Sequence, residues 1–71
     1  MMIDEVLFLE ARVFREFCTL FKIRPSKANE IFKEYQIWNY IEDSYEGLHM
    51  SGDDYIVNDI SEILKSKGAA I

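Results

Sequence analysis

Seventy-one residues with a net charge of −5 make one domain at most, 1–71, near the smallest size at which a hydrophobic core sustains itself. The chain is 49% hydrophobic and holds five Phe, four Tyr and one Trp, which excludes a disordered chain and supplies large surfaces to bury. The acidic balance argues against a general nucleic-acid binder, and the lone Cys18 cannot form an intrachain disulfide.

The chain opens on "MMIDEVLFLEARVF", which has acids where a signal peptide needs bases, and no apolar run reaches membrane-spanning length. A cytoplasmic location without membrane contact is expected. At 100° per residue, "IDEVLFLEARVFREFCTLF" reads as a helix with Ile3, Val6, Leu7, Val13, Phe14, Phe17, Cys18, Leu20 and Phe21 on one broad arc. "IRPS" ends it, because Pro25 disfavours helical geometry at Arg24. Ser26 then caps a short second helix whose Ala28, Ile31, Phe32 and Tyr35 share a face. "YQIW" breaks the pattern, either as a brief extended piece or as the joint between two short helices. Asn39, with Glu42 three residues on, makes a capping-box arrangement for a third helix through Tyr40, Ile41, Ser44, Tyr45 and Leu48.

Ser51 is the expected cap of a fourth helix, worth roughly 1 kcal/mol. Asp53 and Asp54 fall in its first turn, where carboxylates suit the positive end of the helix dipole. Met50 and Tyr55 are placed to form a hydrophobic staple, and Ile56, Val57, Ile60, Ile63 and Leu64 form its apolar stripe. Lys65 and Lys67 close the helix and Gly68 offers a left-handed stop. The expected fold is therefore all-α: a compact single domain of four helices, two longer at the ends and two short between them.

Charge is segregated along the chain. Met1 to Lys33 carries six Lys or Arg against five acids, whereas Glu34 to Leu64 carries eight acids and no base. The seventeen residues "LHMSGDDYIVNDISEIL" hold the only histidine and several acids, yet the calcium-loop spacing is absent and one histidine is a poor zinc donor set. His49 is expected to be partly buried and hydrogen-bonded between helices. No P-loop, no G-x-G-x-x-G and no Ser, His and acid arrangement occurs, so no enzyme, metal or cofactor is expected.

Two residues of the first helix break its own pattern. Phe8 points into the polar arc, near Glu5, Arg12, Arg15 and Thr19 at helical spacing; it is either a lone exposed aromatic or a contact residue for a second subunit or partner. Glu10 points into the apolar arc, and a partner is expected for it, a base such as Arg24 or Lys27 or a tyrosine hydroxyl.

The "DEVLFL" start, the "F-K-E-Y" middle, "Y-E-x-L-H" at Tyr45 to His49 and "G-x-x-Y-I-V-x-D-I" at Gly52 to Ile60 together resemble domain of unknown function 3791, a family of short bacterial proteins. The resemblance covers nearly the whole chain and implies a small intracellular protein of Gram-positive bacteria. Some relatives accompany ADP-ribosyltransferase-like toxins, which implies an antitoxin- or immunity-like role. Glu10 departs from the apolar residue expected at its position.

A non-enzymatic protein-interaction module follows as the functional expectation. One surface is formed by Phe8, Arg12 and Arg15, suited to self-association as a homo-oligomer or to an acidic groove. The other is formed by Asp43, Glu46, Asp54, Asp59 and Glu62 and suits a basic protein. The alternative is a small DNA-binding regulator that reads "RPSKANEIFKEYQIWNYIEDSYEG" as helix-turn-helix, although its second helix would bring Glu42, Asp43 and Glu46 towards phosphates with no base.

Overall fold

Apolar spacing at the helical period produces helices, five among the described residues where four are expected. A computed structural model describes residues 2–69, with side chains from Glu5 onward. The elements are α1 (Met2–Phe21), α2 (Pro25–Glu34), α3 (Ile37–Asp43), α4 (Tyr45–Leu48) and α5 (Asp53–Ser66), and no strand occurs among the described residues. The first and last helices are the longest, as expected, and form the most extensive helix pair. The radius of gyration, 11.3 Å, is that of a compact chain of this length.

The expected third helix is two elements. Ser44 leaves helical geometry at φ −103°, ψ 10°, so the chain turns before α4. That turn lets Leu48 reach the core while the Tyr45 hydroxyl donates to Glu5 on α1 at 3.2 Å.

None of the three expected side-chain caps forms. Pro25 occupies the first position of α2, and its ring holds Arg24 extended (φ −64°, ψ 144°), so Arg24 is the cap and Ser26 lies inside the helix. Helix α3 starts at Ile37 behind a left-handed Gln36, which places Asn39 in its interior. Gly52 rather than Ser51 is the cap position of α5, and Met50 and Tyr55 are 80% and 63% exposed, so the staple between them is absent. The end of α5 is as the sequence indicates. Gly68 takes φ 84°, its N–H reaches the Lys65 carbonyl at 3.1 Å, and the Ala69 N–H reaches that of Leu64 at 2.9 Å.

Lys22 and Gln36 hold positive φ (54° and 56°) without being glycine. Left-handed geometry costs an L-residue about 1–2 kcal/mol, and a glycine there gives back part of that in backbone entropy. Gln36→Gly is therefore expected to stabilise the chain by about 0.5–1 kcal/mol, read as a higher urea midpoint at unchanged slope.

The core is centred on Leu9, Val13 and Phe17 of α1, Phe32 of α2, Ile37 and Ile41 of α3, and Ile56, Val57, Ile60 and Leu64 of α5. Leu9 was absent from the expected arc. Leu7 and Leu20, which belonged to it, are 56% and 59% exposed, while the Ile3 side chain lies outside the described residues. The arc is rotated towards Leu9 and away from Leu7, with Glu10 buried inside it as the helical spacing places it. Phe32 sits at the aromatic centre, edge-on to Phe14, Phe17 and Trp38 at centroid distances of 5.3, 5.0 and 4.9 Å.

Candidate interaction surfaces

Phe8 stands where the helical pattern put it, on the outward face of α1, and is 69% exposed. Leu7, Ala11 and Arg15 are exposed beside it. Arg12 is not a free member of this face. Its Nε and Nη2 donate to the two Asp53 carboxylate oxygens at 3.3 Å each, a two-point ion pair that ties α1 to the first turn of α5. Both partners are solvated, so the pair adds little stability; its effect is to offset the Arg12 charge. Arg15 makes no ion pair among the described residues.

Below this link lies an open groove of about 260 Å³ lined by Arg12, Arg15, Glu16, Thr19 and Asp53. The Asp54 carboxyl beside it holds the Glu16 carboxyl above the usual carboxylate range, with desolvation and the Asp53 charge adding to it.

The acids of the second surface are distributed over three helices, α3, α4 and α5. Asp43 and Glu46 flank the α3–α4 turn, while Asp54 and Glu62 lie on the outward face of α5, and all four are exposed. Asp59 is half-buried and accepts a hydrogen bond from the Tyr40 hydroxyl, which makes it a strut between α3 and α5 rather than a free contact. Burial, and then this bond to a carboxylate, push the Tyr40 hydroxyl far above its ordinary range, so it stays protonated as donor. Sequence reasoning missed this strut because Tyr40 and Asp59 are 19 residues apart and each looks like an ordinary surface residue.

His49 corrects another expectation. It is exposed rather than held between helices, stacks on Tyr45 at 5.0 Å, and places Nδ1 3.0 Å from the Tyr45 carbonyl oxygen. Cys18 packs half-buried against the core, and burial pushes its thiol up, away from the reactive thiolate. Glu10 is buried with 7% exposure, and neither Arg24, Lys27 nor a tyrosine meets it; the group it faces is the Glu42 carboxyl of α3. Burial raises the Glu10 carboxyl above its ordinary range, and the Glu42 charge raises it further.

These features define a small all-helical protein with an aromatic and basic face on α1 and an acidic surface across α3 to α5. Among the described residues no helix is long and apolar enough to cross a membrane. The family model described as Protein of unknown function (DUF3791) matches residues 11–67, and the chain belongs to that family. No curated protein and no solved structure matches it.

Proposed function

We propose that this protein is a non-enzymatic interaction module that occupies a basic protein partner through its acidic surface, in the manner of an antitoxin or immunity protein acting in the cytoplasm. The observation that carries this reading is the segregation of charge. Of the eight acids between Glu34 and Leu64, six (Glu34, Glu42, Asp43, Glu46, Asp54 and Glu62) are exposed, and the stretch contains no Lys or Arg. Among the described residues the one cation that reaches into it is Arg12, spent on Asp53. An acidic surface of this kind brings no stability of its own, but it steers a basic partner and disfavours acidic ones. The toxin-associated relatives implied by the sequence resemblance suit the same reading.

The helix-turn-helix alternative keeps a local geometric basis, since α2 and α3 are joined by the short turn at Tyr35 and Gln36. Helix α3 exposes Asn39, Glu42 and Asp43, however, and a surface of that charge repels phosphates. A gel shift at low salt is expected to show no complex.

The direct test is affinity capture with two baits, the wild type and a variant carrying Asp43→Asn, Glu46→Gln, Asp54→Asn and Glu62→Gln. A basic protein is expected on the first bait and not on the second, and its association rate should fall about tenfold from low to physiological salt. Equal capture by both baits would remove the acidic surface from the proposal.

A further inference from the structure

We propose that the outward face of α1 pairs with the same face of a second copy, antiparallel, about a twofold axis beside Ala11. This goes beyond the acidic surface and does not depend on it. Three observations support it. Leu7 and Phe8 are adjacent apolar side chains, 56% and 69% exposed, on a helix whose Leu9, Val13 and Phe17 are packed in the core. Ala11, exposed one turn along, has a side chain small enough to let two helix backbones approach closely. Arg15, exposed a further turn along, is the cation of this face that has no intrachain ion pair among the described residues.

The pattern is self-complementary. Phe8 and Arg15 are separated by seven residues, about 10 Å along the helix. In an antiparallel pair centred between Ala11 and Arg12, residue 8 of each copy lies opposite residue 15 of the other. Each Phe8 ring then meets an Arg15 guanidinium, whose positive charge is attracted to the face of the ring, and the contact is made twice by symmetry. Arg12 comes to the axis already neutralised by Asp53, so the two copies do not bring bare like charges together there.

One helix face falls short of the roughly 800 Å² per partner of a standard interface, so the pair is a weak one, with dissociation in the range of about 0.1–1 mM. Its salt dependence is the reverse of that of a charge-steered complex. Two bodies of net charge −5 repel at long range, and added salt screens that repulsion.

Sedimentation equilibrium up to about 1 mM tests the proposal. The wild type is expected to show a dimer that strengthens as salt rises. Phe8→Ala and, separately, Ala11→Glu should weaken it at least about tenfold while the helical circular dichroism signal is unchanged, because both side chains are exposed. A wild type that stays monomeric, a dimer that survives both substitutions, or one that weakens with salt would each overturn it. Capture of a basic protein by the acidic surface is untouched by either substitution, so the two readings fail separately.

Discussion

Phe32→Ala is expected to cost about 3–5 kcal/mol and to move the urea midpoint down by a large fraction of its wild-type value. The magnitude follows from where the ring lies. Phe32 is fully buried, and its edges and faces meet Phe14, Phe17 and Trp38, which come from α1 and α3. It is therefore the contact through which α2 holds two neighbours, and truncation removes packing from both at once. A chain of this length has a total stability of about 4–10 kcal/mol, so the loss is a large share of the whole. The collapse that could fill the cavity is restricted, because Phe14 and Trp38 are stacked on each other at 5.3 Å and the Trp38 Nε1–H donates to Asn29 at 3.2 Å. Urea unfolding followed by Trp38 fluorescence measures the effect directly. A loss under about 1 kcal/mol would mean that the aromatic cluster does not organise the core in the way described.

Glu10→Gln should act in the opposite direction and stabilise the protein at neutral pH by about 0.5–1.5 kcal/mol, the net scale of one hydrogen bond gained in place of a carboxylate repulsion. The wild-type side chain is 7% exposed, the nearest charge acting on it is the Glu42 carboxylate, and no cation pairs with it among the described residues. A glutamine has nearly the same shape, carries no charge and can donate its amide N–H to Glu42. The pH dependence fixes the sign independently. The folded chain holds the Glu10 proton above the ordinary 4.5, at pH values where the unfolded chain has released it. The contribution is fully present below 4.5 and is lost as pH rises through the raised value. Wild-type stability should consequently fall as pH climbs out of the acid range, and Glu10→Gln should flatten that slope. A variant that is less stable than wild type at pH 7, with the slope unchanged, would show that Glu10 is satisfied by a partner other than Glu42.

Much of this protein is determined by its sequence locally. The helical class, the long first and last helices, the exposed Phe8, the two aspartates in the first turn of α5 and the left-handed Gly68 all follow from period, steric preference and dipole, which act over a few residues. Tertiary structure decided the rest. The cap positions were settled by backbone geometry around Pro25, Gln36 and Gly52, which outweighed the side-chain oxygens of Ser26, Asn39 and Ser51. The rotation of α1 that buries Leu9 and leaves Leu7 outside depends on where α2, α3 and α5 press against it. The partners of the ionisable groups are also non-local. Arg12 finds Asp53 across 41 residues, Tyr45 finds Glu5 across 40, and Glu10 meets Glu42 only because α1 packs on α3. A helical period determines which residues share a face; only packing determines how far that face is turned and which distant charge it meets.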